Sequence, residues 1–506
     1  MRELFQMHEF WKGARSAFCK LRNAADAAAQ KGRELKKPFL ALLAIYLIGI
    51  SAILRANFNY IDDMGRVYSG YKGWGNFSRH TNMVLSGLLH ADNYLTDISP
   101  LPQMLAVLLL AFAGAAVLYI ISEKTEFSLW SVIAVVPLGL SPYFLECISY
   151  KFDAPYMALS ILASVVPLLF SRGNSVVYFA ASLLGTLTVC TTYQAAVGLF
   201  PMMVVLVALL RWNQKEFVAQ IASFIGDSVF SFVAGVLLFQ FILRNPQQSY
   251  VDTSLPPINQ LFSVMMQNYA HYFSLIKSDF KGGWLLLIAV LCVLFLYRNV
   301  RSSRQNKAAA FAVSSAAMLL MLLLSFGVYP AFQAPLFEPR AMYGFGFFVS
   351  LIASVAVTGQ YDAVKLSKLL SFVLSWCFFV FAFTYGNALF VQKTYTDFRI
   401  QMVVNDLKSA PAMLSDAEKS VEIVGSIGYA PALRMMPQNN TILQRLVPIT
   451  FQETWLWGYY GIANYYGLKH LNWTDIDANP EDFPIIADSV YHTIRGSGDT
   501  IFILLK

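Results

Sequence analysis

Residues 59–66 read Asn-Tyr-Ile-Asp-Asp-Met-Gly-Arg and set two adjacent carboxylates, Asp62 and Asp63, just after the first long apolar run. Charge beside a bilayer costs free energy unless a cation or a substrate uses it, so the pair reads as a site. Arg66 lies three residues beyond Asp63, one helical turn away, where it can pair with that carboxylate. Asp62 is then the freer base. A solvated polar helix end is the plain alternative.

The residues that follow add cations and rings. Arg55, Lys72, Arg79 and His80 are interleaved with Tyr60, Tyr68, Tyr71, Trp74 and Phe77. Arginine forks phosphate oxygens, and aromatic faces give flat apolar support to a sugar. Rings of this kind also populate ordinary interfacial belts. A second cluster, Glu146 with Tyr150, Lys151 and Asp153, closes the third apolar segment, and a third, Glu338-Pro339-Arg340, opens the tenth. The inventory suits transfer from a lipid-phosphate sugar: one carboxylate takes the proton of an acceptor hydroxyl, and cations hold the developing phosphate charge. Phosphate leaves without a proton, so the second carboxylate of a hydrolase pair is dispensable. No Walker, GxGxxG or HExxH pattern is present, which argues against an ATP-driven pump, a dehydrogenase and a zinc protease.

These residues need helices to position them. Hydrophobic residues make up 57% of the chain and charged residues 13%, too much apolar surface for one globular core, so a bilayer must solvate most of it. About eleven membrane helices are expected, each about twenty residues long, near 39–57, 101–121, 128–145, 155–171, 175–192, 194–211, 218–243, 283–298, 308–329, 341–359 and 369–391. Together 39–391 form the expected membrane domain. Lys and Arg crowd the segment before the first helix, the stretch Arg298–Lys307, and Lys365 with Lys368. Under that count all of these lie on the cytoplasmic side. The three charged clusters, the large loops 58–100 and 244–282, and the tail 392–506 then face outward. Short strand-like runs (Val421–Val424, Ile501–Leu505) predict a small α/β domain for the tail; packing against the membrane domain is the favoured reading of its Thr454–Tyr460 and Tyr465-Tyr466 rings, and an acceptor groove the alternative. Residues 1–38 carry Leu4, Met7, Trp11, Ala14, Phe18 and Leu21 at helical spacing among basic residues, the pattern of a helix lying on the cytoplasmic leaflet or of a plain basic flank. The net charge of +7 is accounted for by these flanks, so no nucleic-acid partner is implied. Cytoplasmic connections are too short to hold a nucleotide-binding domain, which disfavours a nucleotide-sugar donor. Five scattered cysteines give neither a zinc ribbon nor a disulfide framework.

The segment Tyr60-Ile61-Asp62-Asp63-Met64-Gly65-Arg66 with Ser69-Gly70-Tyr71, followed by Leu95-Thr96-Asp97-Ile98-Ser99-Pro100-Leu101-Pro102-Gln103, resembles the serotype-converting O-antigen glucosyltransferases, bacterial and phage membrane proteins of the GT-C type. Ser141-Pro142-Tyr143-x-x-Glu146-x-x-Ser149-Tyr150-x-x-Asp153 and Pro339-Arg340-x-x-x-Gly344-Phe345-Gly346 are similar to the same family, and the likeness continues into the tail. The resemblance implies a polytopic helical GT-C fold with a periplasmic C-terminal domain, in a bacterial inner membrane. It implies an acidic residue in the first external loop, the position of Asp62 and Asp63, as catalytic. Arg66, Lys72, Arg79, Glu146, Tyr150, Asp153, Glu338 and Arg340 are the expected substrate-binding residues. The implied donor is undecaprenyl phosphate–glucose and the implied acceptor the O-antigen, with a donor-lipid synthase and a flippase as functional neighbours. No metal and no cofactor is expected. Another polyprenyl-phosphate sugar or acceptor is the alternative among enzymes. A lipid or sugar transporter is the alternative outside them, disfavoured because few polar residues (Asp227, Gln194, Gln240) lie within apolar runs.

Overall fold

Apolar runs, and the proline and polar breaks between them, determine where the helices start and stop. The structure, a computed structural model, describes residues 34–122, 127–245, 254–408, 413, 416–453, 456–465, 468 and 470–506. Residues 1–33, which hold most of the expected amphipathic segment, and Thr454, Trp455 and Tyr466 lie outside the described residues. Helix occupies every expected segment. Eight of the described helices are long and apolar enough to cross a membrane, or nine if the pair Leu129–Leu140 and Pro142–Ser149, bent by 57°, is one span. The bend falls at Ser141-Pro142, where the proline ring forbids a continuous helix. A shorter apolar helix, Ala154–Phe170, follows it.

Close helix contacts depend on small residues, as expected where no hydrophobic effect drives one helix against another inside lipid. A β carbon on Gly386 would stand 2.5 Å from the backbone of Ala52. That contact seats the helix Val364–Leu407 against the helix Ser51–Ala56, which leads into the first carboxylate cluster.

Val364–Leu407 runs unbroken for 44 residues, a length of about 66 Å, roughly twice the thickness of a hydrocarbon core. The tail was expected to begin at 392, yet this stem helix continues through that point and becomes part of the C-terminal domain. Its last turns (Ile400, Val403, Val404, Leu407) cover the face of a five-stranded sheet through Val421, Ile423, Ile494, Ile501 and Ile503. The strands are β1 (Lys419–Val424), β2 (Leu471–Trp473), β3 (Ile485–Asp488), β4 (His492–Ser497) and β5 (Thr500–Leu505), in the order β2-β1-β5-β4-β3. β1 pairs in parallel with β2 and β5, and β3, β4 and β5 are antiparallel. Arg399, fully buried, clamps helix to sheet by donating to Tyr395 Oη and to the carbonyls of Tyr491 and Lys506. The stretch 244–282, expected as a loop, carries the helix Ile258–Asp279, whose last residue returns to the charged end of the bundle.

The stem helix predicts a topology. A reporter fused after Lys506 is expected on the opposite side of the membrane from one inserted in Arg301–Lys307. Activity of both on one side would refute the crossing.

Candidate active site

Helix Asp62–Ser69 begins at a strained point. Ile61 has φ 48°, a left-handed conformation that a β-branched residue rarely adopts and that costs of order 1–3 kcal/mol. The constraint that holds it is Asp63. Its Oδ2 accepts the backbone N–H of Tyr60 at 3.1 Å and of Lys151 at 2.9 Å, while Oδ1 accepts that of Phe152 at 3.5 Å. Asp63 thus ties the first loop to the turn after Pro142–Ser149, and it is fully buried. Burial pushes its carboxyl up to about 7, against the pull of Arg66 and the Lys151 N–H.

Arg66 does not pair with Asp63 as the spacing suggested. Its guanidinium donates to Asp153, both side chains being buried. The short helix turns Arg66 toward the neighbouring turn, where Asp153 meets it and Asp63 is already occupied by backbone donors. Trp74 Nε1 donates to the other Asp153 oxygen at 2.6 Å, and Arg79 approaches that oxygen at 4.0 Å. Burial raises the Asp153 pKa, but the two guanidinium groups outweigh it and hold the carboxyl below its ordinary value. Lys151 Nζ, also buried, bonds Asn59 at 2.7 Å and Asp97 at 3.1 Å. Asp97 therefore enters the network from the second quoted motif of the first loop.

A second carboxylate–guanidinium pair faces the first. Glu146 Oε1 accepts from Arg340 Nη1 at 2.8 Å and Oε2 from the Arg340 backbone N–H at 2.6 Å. The Arg340 guanidinium lies 5.7 Å from the Tyr150 ring, and Tyr150 packs on Tyr60 at 4.7 Å. Tyr193 links the two halves: its hydroxyl donates to the Arg340 carbonyl at 3.1 Å, and Arg79 sits over its ring at 5.0 Å. Among the described residues, Arg79 Nε, like Arg66 Nε, is buried without a hydrogen-bond partner.

Among the expected residues, the structure thus brings together Asp63, Arg66, Arg79, Glu146, Tyr150, Asp153 and Arg340. Asp62 is exposed at the start of the short helix, and among the described residues no hydrogen-bond partner holds it. Glu338 is exposed beside Glu146. Lys72 lies apart, its Nζ 3.6 Å from the Gly87 β position on the helix His80–His90.

Sequence reasoning missed one contribution entirely. Arg445 of the C-terminal domain pairs with Asp279 and donates to the Phe337 carbonyl, three residues before Arg340. Tyr143 Oη donates to the same Asp279 at 2.8 Å, and Tyr60 Oη donates to the Leu446 carbonyl at 2.9 Å. Asp279 lies between Lys277 and Lys281, but nothing in that run or around Arg445 ties the two together, so only the chain's path could bring them to the site.

Between the helices Leu199–Asn213, Val218–Leu238 and Lys307–Leu324 runs an apolar groove of about 700 Å³, lined by Phe200, Val204, Trp212, Ile221, Phe232 and Leu324 among others. Phe200 follows Tyr193 by seven residues. Leu324 adjoins Ser325, whose carbonyl packs on Gly344, four residues beyond Arg340.

The fold and site define a polytopic helical membrane protein with a buried charged cluster at one end of its bundle, braced by a small C-terminal sheet domain. The chain belongs to the family described as glucosyl transferase GtrII, whose model matches residues 51–351. That span holds all of the cluster except the contacts made by the C-terminal domain. An uncharacterized 55.3 kDa protein from the gtrB 5' region of Salmonella phage P22 is 22% identical over 435 residues, covering 83% of this chain and 87% of the phage protein. No solved structure matches.

Asp63 generates a pH prediction. The folded state keeps a proton that the unfolded chain has released, so stability falls as pH rises from about 4 to about 7. Asp63→Asn retains an acceptor for the Tyr60 and Lys151 N–H groups and should lose that slope. Asp63→Ala leaves the donors unpaired and should cost about 1–3 kcal/mol. Melting temperature in detergent across that pH range checks both. Equal slopes in wild type and Asp63→Asn would show that Asp63 does not titrate there.

Proposed function

We propose that this glucosyl transferase moves glucose from undecaprenyl phosphate–glucose to a sugar hydroxyl of the O-antigen, at the periplasmic face of the bacterial inner membrane, inverting the anomeric carbon by direct displacement. The observation that carries the reading is the meeting of two arginines at Tyr193, Arg79 over its ring and Arg340 through its backbone carbonyl, with an apolar groove lined from Phe200, seven residues further along the chain. A polyprenyl phosphate has this form, an anion at the end of a long apolar chain. Arg79 Nε, buried and without a hydrogen-bond partner among the described residues, is a donor for a phosphate oxygen. Arg340, held by Glu146, adds the charge of its guanidinium to the same anion. The occurrence of the phage relative beside gtrB supports the assignment to a glucosylation locus.

Asp62 is the base in this scheme. It is exposed where an acceptor can reach it, whereas Asp63, Glu146 and Asp153 are each bound to backbone or guanidinium donors. Asp62 takes the proton of the acceptor hydroxyl as that oxygen attacks the anomeric carbon, and the lipid phosphate leaves toward Arg79 and Arg340. Lys72 adds positive charge at longer range. Asp63 and the Arg66–Asp153 pair hold the loop that carries Asp62.

Asp62→Asn keeps size and one acceptor oxygen but removes basicity. It should insert and bind donor normally while single-turnover transfer falls roughly 10²–10⁴-fold. Near wild-type transfer would move the base elsewhere. Arg340→Lys keeps the charge but loses the planar fork. Donor affinity and transfer should both drop, and Arg340→Ala should be worse; a fully active Arg340→Lys would confine Arg340 to anchoring Glu146.

A further inference from the structure

Several tyrosines that take no part in the charge network gather around the helix Asp62–Ser69. Gly65 lies one turn past Asp62, and a β carbon there would stand 3.1 Å from the Tyr71 ring and 3.3 Å from the Tyr460 ring. Glycine at this position is what allows both rings to lie against the helix backbone. Gly70, at φ 65°, turns the chain so that Tyr71 folds back over Gly65, and the β carbon of Tyr94 lies 3.2 Å from the Gly70 β position. Tyr460 arrives from the C-terminal domain, on the short helix Trp457–Tyr460, with its ring 5.7 Å from that of Tyr68.

Core packing would bury these rings, yet Tyr68 is 58% exposed, Tyr71 43% and Tyr94 67%. Tyr459, the neighbour of Tyr460, does serve packing, since its hydroxyl donates to the Leu471 carbonyl and its ring joins the core of the C-terminal domain. Tyr460 points the other way, to the first loop. Tyrosine gives large flat contact at little conformational-entropy cost, with a hydroxyl at its edge. Asp62 lies in electrostatic range of Tyr71.

We propose that Tyr68, Tyr71, Tyr94 and Tyr460 form a platform for the acceptor glycan, on which an oligosaccharide of more than one sugar rests while one hydroxyl is presented to Asp62. The inference rests on the glycan-acceptor reading above and adds to it the surface, the minimum acceptor size and a binding role for the C-terminal domain. The donor enters from the helix bundle, and the acceptor is held jointly by the first loop and the tail.

The test is binding without donor, on the full-length protein in nanodiscs. The probes are O-polysaccharide fragments released by mild acid from lipopolysaccharide of the source strain, either one repeat unit or several, read by ligand-observed NMR. Wild type should bind the longer fragments more tightly than the single repeat. Tyr68→Ala and Tyr460→Ala should each weaken the longer fragments by about tenfold, the size of one aromatic contact, with donor-lipid binding unchanged. Tyr68→Phe should bind like wild type, and Gly65→Ala, which displaces both rings, should bind like the alanine variants. Tyr68 and Tyr94 are exposed, so alanine there leaves folding intact whatever happens at Tyr460 or Gly65. Undiminished binding in Tyr68→Ala and Tyr94→Ala overturns the platform while leaving the transferase reading in place. Wild-type protein that binds none of the fragments overturns the glycan-acceptor reading, and the platform with it.

Discussion

The ion pair of Arg66 with Asp153 is buried at both ends, and the rest of the cluster is arranged to make that burial tolerable. Two charges withdrawn from water recover their solvation only if further hydrogen bonds complete their shells. Asp153 meets this requirement with Trp74 and Arg79, and Arg66 lies 4.7 Å from the Trp74 ring. Beside it, Asp63 takes three backbone N–H groups from two separate segments. A displaced first loop would leave buried charge unpaired, so residues 60–66 and 150–153 form one rigid unit. That rigidity allows Asp62 to stand exposed at a defined place.

The same constraint separates two kinds of carboxylate. Those already saturated by donors serve geometry; Asp62, to which no such donor is bound among the described residues, is the base in the proposed scheme. A comparable separation holds among the arginines. Arg66 and Arg445 each donate directly to a carboxylate, whereas Arg79 only approaches Asp153 at 4.0 Å and lies over the Tyr193 ring. The bracing reaches beyond the bundle. Arg445 joins Asp279, at the end of the long helix in the second large connection, to the Phe337 carbonyl just before Arg340. The stem helix makes this reach possible, because it carries the sheet domain on the same rigid rod that packs against Ser51–Ala56.

Much of this was legible in the amino-acid order. Long apolar runs have only one structure available in lipid, because every backbone N–H and C=O must be paired within its own segment, so helix stands in every expected place. Clusters at residues 62–66, 146–153 and 338–340 are visible as charge where charge is costly, and the structure joins most of their members in one place. The short runs Val421–Val424 and Ile501–Leu505 mark their strands, since β-branched and aromatic side chains suit a pleated, partly buried surface.

What the sequence could not decide is which charges pair and which remain open. Arg66 is one turn from Asp63, but spacing along a helix ignores a turn that arrives from 87 residues away with its own carboxylate. The continuation of the stem helix past 391 depends on packing against neighbours, which a hydropathy pattern does not contain. Arg445 and Asp279 stand outside the clusters legible in the sequence, and the ring run that contains Tyr460 does not say which segment it meets until the fold sets it beside the first loop. Apolar patterning is a property of each segment and survives in one dimension; the pairing of buried charges is a property of distances between segments and exists only once the chain is folded.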